Sequence, residues 1–267
     1  MQDMKLPYFL IDAFTDQAFT GNPAAVYVLN APISDDLMQK IATEMNLSET
    51  AFVVQGQSAT TLRWFTPTTE VDLCGHATLA SAHVLFTAID LPHSGVITFD
   101  SASGALICEQ TPDGIRLNFP ATPPSPTPLD PVICEQLGVT DPIYFGRSKF
   151  DYLIHLAREE DVLTIAPNFS ALAAVATRGF IVTAQAKAAE LDFVSRFFAP
   201  ATGVDEDPVT GSAHCCLGPY WATQLNKPTL QAAQRSQRGG SLTVEVVASR
   251  VLLTGHAVLV GRGELLL

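Results

Sequence analysis

Basic residues are scarce in this chain. Fifteen Lys and Arg stand against 27 Asp and Glu, a formal net charge of −12 over 267 residues, and the pI is near 4.8. With no basic patch to offset it, that balance argues against nucleic acid or an anionic membrane surface as partner. Cysteine is sparse too: Cys74, Cys108, Cys134, Cys215 and Cys216 are an odd count and lack the paired C-x-x-C spacing of a zinc site. Reduced thiols and a cytoplasmic location are the expectation. No apolar run reaches transmembrane length, and none follows a basic start at the N-terminus, so no leader is expected. No G-x-G-x-x-G follows a strand, and neither G-x-x-x-x-G-K-[ST] nor H-E-x-x-H occurs, which removes the usual nucleotide and metalloprotease readings. The run Thr210-Gly211-Ser212-Ala213-His214 lacks the second glycine of a serine-nucleophile elbow, so Ser212 reads as a hydrogen-bonding hydroxyl.

What the chain does have is repetition. Residues 195–216 place an apolar strand, an acidic turn and the start of a small-residue helix in succession, and residues 62–83 repeat that layout. Arg63 matches Arg196, Phe65 matches Phe198, Pro67 matches Pro200, Thr69 matches Thr202, Val71 matches Val204 and Asp72 matches Asp205, always 133 residues apart. A period this long signals two copies of a domain. A hydrophobic content of 47% with 16% charged residues suits a globular chain with two cores. The expected division is an N-terminal domain over 1–119, a stiff proline-rich linker over 120–131 and a C-terminal domain over 132–257, with the strand near 258–267 a candidate to rejoin the first domain. At the 133-residue offset Cys74 falls opposite Asp207.

Turn signals and hydrophobic periodicity set the elements. In the first copy they predict strands over 7–14, 24–29, 51–54 and 60–66, a helix over 35–46 capped by Ser34, a helix over 75–88, and strands over 95–100, 104–110 and 114–119. In the second they predict helices over 131–137, 168–176 and 211–224, and strands over 143–147, 151–157, 179–184, 192–198, 241–247 and 250–254; strands over 257–261 and 264–267 close the chain. The 75–88 helix is almost uncharged, and a helix without a polar face must be wrapped on all sides. The fold class that follows is α+β, two similar domains, each with a strongly curved sheet around a central helix.

The candidate chemistry clusters at the two central helices. Free N–H groups at a helix start attract a carboxylate or phosphate, and Asp205, Glu206 and Asp207 crowd three acids just before Gly211. Such crowding suits an acid held for proton chemistry; an ordinary N-capped helix after a polar turn is the alternative. Glu49 lies between polar turn residues and an apolar strand, where half-burial would raise its pKa toward that of a general base; an ordinary surface acid at a strand edge is the alternative. Aligning Ala51-Phe52-Val53-Val54 with Gly179-Phe180-Ile181-Val182 sets Thr177 opposite Glu49, so only the first half carries this acid. His76 and His83 share a helix face but lack a third ligand, so no metal is expected and they read as one site residue and one packing residue. Cys215 and Cys216 read as buried packing.

The segments Phe19-Thr20-Gly21-Asn22-Pro23-Ala24-Ala25-Val26, Asn46-Leu47-Ser48-Glu49-Thr50-Ala51-Phe52, Asp72-Leu73-Cys74-Gly75-His76-Ala77-Thr78 and Asp205-Glu206-Asp207-Pro208-Val209-Thr210-Gly211-Ser212-Ala213 together resemble the PhzF phenazine-biosynthesis family over essentially the whole chain. The resemblance implies the diaminopimelate-epimerase-like fold, two domains related by pseudo-twofold symmetry, each a curved sheet or barrel around its central helix, with an active site between them. It also implies a cofactor-independent isomerase that moves a proton on a small carboxylate, as the phenazine enzyme does with dihydrohydroxyanthranilate, and a homodimer as the default assembly. By the same resemblance Glu49 takes and returns the proton, His76 polarises or hydrogen-bonds the substrate, and Asp207 orients the amino group or assists protonation. Ser212 and the Gly211 backbone hold the carboxylate, with Gly75, Asp72 and Cys74 lining the first-half side. Epimerases of this architecture use two facing cysteines; here Cys74 meets Asp207 instead, which leaves a Cys74/Asp207 epimerase as one alternative and a non-catalytic carboxylate-binding protein as another.

Overall fold

A computed structural model of the chain describes residues 5–56, 59–89 and 94–267; Met1–Met4, part of the stretch read for a leader, lie outside the described residues. In order, the elements are β1 (Lys5–Ala13), β2 (Asn22–Leu29), α1 (Asp35–Met45), β3 (Glu49–Gln55), β4 (Thr60–Phe65), β5 (Glu70–Val71), α2 (Gly75–Thr87), β6 (Val96–Ser101), β7 (Gly104–Thr111) and β8 (Gly114–Pro120). Then come β9 (Ser125–Pro126), α3 (Pro131–Leu137), β10 (Tyr144–Arg147), β11 (Asp151–His155), α4 (Glu159–Leu163), α5 (Phe169–Leu172), β12 (Gly179–Gln185) and β13 (Phe193–Phe198). After a 3-10 turn at Pro200–Thr202 the chain ends with α6 (Gly211–Leu225), β14 (Thr229–Gln234), β15 (Gly240–Val247), β16 (Arg250–Gly255) and β17 (Ala257–Leu266).

The chain divides into two units, one running to Asn118 and including Thr254–Leu267, the other spanning Phe119–Leu253. Their strand pairings follow one scheme. In the first unit β1 runs antiparallel to β2, β2 parallel to β3, β3 antiparallel to β4, β4 parallel to β6, and β6 antiparallel to β7. In the second the same alternation runs through β10, β11, β12, β13, β14 and β15. β17 completes the first unit by lying antiparallel to β1 from Ala257 opposite Ala13 to Leu266 opposite Lys5, with one bulge at Leu10/Ile11.

Each sheet wraps a helix that has no exposed polar face. In α2, 11 of 13 residues are buried, and the helix packs on β1, β2, β3, β7 and β17. Its hydroxyls turn back on the helix itself, Thr78 donating to the Cys74 carbonyl and Ser81 to the Ala77 carbonyl, which satisfies them without outside partners. In α6, nine of 15 residues are buried, and Trp221 donates its indole N–H to Thr183 at 3.0 Å. Two Arg–Phe pairs carry the repeat into three dimensions. Arg63 sits over Phe65 and forks onto Glu70, and Arg196 sits over Phe198 and forks onto Glu206.

Several elements differ from the sequence expectation. The 257–261 and 264–267 strands are one continuous β17, because Gly263 leaves room for the Tyr8 ring across the ladder and so does not break the strand. The single helix expected over 168–176 shrinks to α5, capped by Asn168, and a second short helix precedes it as α4. β14 was hidden by its glutamines and alanines, which give no period-two apolar signal. The proline-rich stretch is hydrogen-bonded along the second unit: Thr122 N–H to the Cys215 carbonyl, Thr127 N–H to the Phe145 carbonyl, and Asp130 capping α3.

The tight connection from β1 to β2 turns on Gly21, whose φ is +69° and whose missing Cβ would land on the Ala13 carbonyl oxygen. Gly203 also has positive φ, +87°, but faces open space. Gly21→Ala is expected to cost about 2–4 kcal/mol, backbone strain plus the clash, and Gly203→Ala only about 1–2. Urea midpoints of the two variants check this, and equal losses would remove the steric argument.

Candidate active site

In the first unit, three residues converge on the buried ring of His76. Gly75 begins α2, so His76 lies in its first turn, and Cys74 occupies the cap position without a side-chain capping bond. β3 starts at Glu49 and lies parallel to β2, which starts at Asn22. The Asn22 Nδ2 amide is 3.1 Å from His76 Nδ1, the Cys74 Sγ is 3.4 Å from the same nitrogen, and Glu49 Oε2 is 3.5 Å from His76 Nε2. Glu49 keeps 19% of its side chain exposed against 4% for His76, so the carboxylate sits at the edge of the cluster and the imidazole inside it. Burial pushes the His76 pKa down to about 3, leaving the ring neutral at ordinary pH. The Glu49–His76 gap exceeds a direct hydrogen bond, a spacing common in ligand-free acid–base pairs that tighten on substrate.

Glu49, Cys74 and His76 offer a carboxylate, a thiol and an imidazole within 4.8 Å of one another, a donor set acceptable to a thiophilic divalent ion. The thiol and the carboxylate face different ring nitrogens, however, so a single ion would need one of them to move. His83 is half-buried and lines a cavity with Phe86, Gln110 and His256, to which His76 does not contribute. Asp72 is exposed, and its carbonyl accepts from the Ser103 hydroxyl at 2.7 Å.

In the second unit the acidic turn separates into three environments. Asp205 is exposed, Glu206 is taken by Arg196, and Asp207 is buried. The Thr210 hydroxyl donates to Asp207 Oδ2 at 2.5 Å, and Gln234, fully buried on β14, donates to the Asp207 carbonyl at 2.6 Å and accepts from the Thr210 N–H at 2.9 Å. Thr210 caps α6 by position, but its hydroxyl serves Asp207 instead of the helix. Neither central helix therefore takes a side-chain cap from its own N-cap residue. The Ser212 hydroxyl, in that first turn, accepts from Arg178 at 2.9 Å, and Arg178 forks onto the buried Asp151.

Two alignments made from sequence change in the structure. Thr50 pairs with Phe65 and Phe180 with Phe198, so Glu49 matches Gly179, not Thr177. A side chain at 179 would strike the Phe197 ring. The helices start at Gly75 and Gly211, an offset of 136 against the strands' 133, so Cys74 matches Thr210 and Asp207 belongs to three extra residues in the second turn. Asn22, Thr210, Gln234, Arg178 and Asp151 also stand in these two clusters. Of these, Asn22 alone carries a sequence signal, a polar residue opening an apolar strand after Gly21.

The comparisons with known proteins agree over nearly all of the chain. The profile of a family described as phenazine biosynthesis-like protein matches residues 11–263. A protein named as an uncharacterized isomerase in Halalkalibacterium halodurans is 51% identical over 265 residues, 99% of this chain and 100% of that one. A solved PhzF-family phenazine biosynthesis protein from Enterococcus faecalis is 46% identical, covers 99% of this chain and 100% of its own, and superposes with a TM-score of 0.93. A hydroxyproline epimerase from Agrobacterium vitis, 11% identical with a TM-score of 0.61 over 100% of this chain and 93% of its own, shares the fold.

Burial holds two histidines neutral, His76 at about 3 and His214 at about 4. As pH falls below about 6.5 the unfolded chain takes a proton on each while the native chain does not, so stability is lost on acidification, up to about 1.4 kcal/mol per pH unit per group. Unfolding midpoints at about pH 7 and about pH 5 are expected to show the loss, and His214→Asn is expected to reduce it by roughly 2 kcal/mol. An identical loss in both proteins would remove His214 as a source.

Proposed function

The chain belongs to the phenazine biosynthesis-like (PhzF) family, and from that membership and the His76 cluster we propose that it is a cofactor-independent isomerase that moves a proton on a small carboxylate substrate. The observation that carries the reading is Glu49 Oε2 at 3.5 Å from Nε2 of a buried, neutral His76. A partly exposed carboxylate can reach a substrate carbon and take its proton, while a neutral imidazole beside it donates a hydrogen bond without competing for that proton. In this reading Glu49 is the base, His76 polarises the substrate, and Asp207, held by Thr210, assists reprotonation. The first turn of α6, to which its N-cap residue gives no side-chain cap, suits a carboxylate with Gly211 and Ser212.

A second reading has a specific observation of its own. Cys74 Sγ lies 3.4 Å from His76 Nδ1 at the cap position of a helix, which supplies the thiol that an epimerase using Cys74 and Asp207 requires.

Proton NMR in deuterated buffer separates the two. A panel of small amino- and hydroxy-carboxylates, dihydrohydroxyanthranilate among them, is incubated with the wild type, Glu49→Gln and Cys74→Ser. Exchange of a carbon-bound proton is expected to fall roughly 10²–10⁴-fold in Glu49→Gln and to survive in Cys74→Ser. The reverse pattern selects the thiol mechanism, and binding without exchange in any protein selects a carboxylate-binding protein.

A further inference from the structure

The turn that precedes β2 ends in a residue to which the proton-transfer reading gives no part. Asn22 is fully buried, and its position is set before any ligand arrives. Gly21 makes the turn at φ +69°, Asn22 pairs with Ala13 across the β1–β2 ladder, and the loop between the strands is tied down by the Asp12 carboxylate accepting the Phe19 N–H at 2.7 Å and by Thr15 bonded to Gln17 and Thr20. This scaffold delivers the Asn22 Nδ2 group to 3.1 Å from His76 Nδ1.

An amide NH₂ carries hydrogens and no lone pair, so the ring nitrogen it faces must be the bare one. The other neighbour of that nitrogen, the Cys74 thiol at 3.4 Å, is also a donor when protonated. The single proton of a neutral ring then sits on Nε2, the nitrogen that points at Glu49. We propose that Asn22 is a positioning residue that fixes His76 as the Nε2–H tautomer, so that the imidazole serves as a hydrogen-bond donor beside Glu49 and leaves the carboxylate as the base. The functional half of this inference rests on the isomerase reading; the tautomer does not.

With Nε2 as the donor, a substrate bound beside His76 and Glu49 meets one hydrogen-bond donor for its oxygen and one base for its carbon-bound proton, the division of labour needed to polarise an acid carbon and deprotonate it. The opposite tautomer would present a bare Nε2 to the carboxylate, two acceptors facing one another, and the substrate would lose its donor. Replacing the Asn22 amide by a carboxylate tests this directly, because Asp is the same shape and can only accept.

The experiment uses the full chain labelled with ¹⁵N-histidine, with two-bond ¹H–¹⁵N correlation to read the tautomer and the His76→Gln spectrum to assign the ring. The wild type is expected to show His76 with Nδ1 bare and Nε2 protonated, and Asn22→Asp is expected to move the proton to Nδ1. Asn22→Leu, which removes both amide groups, is expected to leave a mixture of tautomers and covers the case in which Asn22→Asp does not fold. Proton exchange on the responding substrate is expected to fall at least 10-fold in Asn22→Asp, in the turnover rate more than in KM. A wild-type ring protonated on Nδ1, or a ring that keeps its Nε2 proton in the variants, overturns the tautomer assignment. A moved proton with an unchanged exchange rate overturns the positioning role while the isomerase reading stands. The expected spectra with no exchanging compound in the wild type leave the tautomer assignment intact and count against the isomerase reading.

Discussion

The molecule depends on burying two helices that have no polar side. A helix of Gly, Ala, Leu and Ser cannot rest on a flat sheet with its far face in water, so strands must close around it. Closure has a consequence at the helix start. The first-turn N–H groups of a wrapped helix lie where water is scarce, and a side chain normally caps them. Here Cys74 offers a thiol with no capping bond, and Thr210 spends its hydroxyl on Asp207. Packing thus accounts for the helix bodies, and the positive field of their first turns accounts for the polar residues gathered there.

Duplication supplied both starts, and divergence made them different. The Arg–Phe pair and its forked acid persist in each unit, holding the strand before the helix by the same contacts. Past that point the copies part. The first unit has an imidazole one residue into the helix, with a carboxylate beside it from β3. The second fills the matching strand position with Gly179 beneath the Phe197 ring and inserts three residues that bury Asp207 against Thr210 and Gln234. One unit therefore sets its acid beside an imidazole and the other sets its acid beside a hydroxyl.

The scaffold was more legible in the sequence than the site. Ser34 before two acids, the uncharged run after Gly75 and the Arg-Phe repeat each state a local rule, and α1, α2, β4 and β13 follow them. The failures share a cause, which is that partners distant in sequence decide the outcome. Gly263 looks like a strand break until Tyr8 is seen to need its space. Thr177 looks equivalent to Glu49 until the β12–β13 register shifts the match by two residues. Gln234 cannot be read as a site residue, because its value lies in reaching Thr210 and Asp207, 24 and 27 residues away.

Burial of His76 links these levels. Desolvation removes the charged form of the ring, and a neutral imidazole has one proton to place on two nitrogens. In an exposed histidine both tautomers are available and the choice carries little free energy. Inside this unit Nδ1 faces an amide and Nε2 lies 3.5 Å from a carboxylate, so the hydrogen-bonding pattern of the whole cluster follows from where one proton sits. The turn at Gly21, the strand register that sets Ala24 beside Glu49, and the helix start at Gly75 all bear on that single atom. A fold that encloses an apolar helix thereby also determines the direction in which its first-turn histidine can donate.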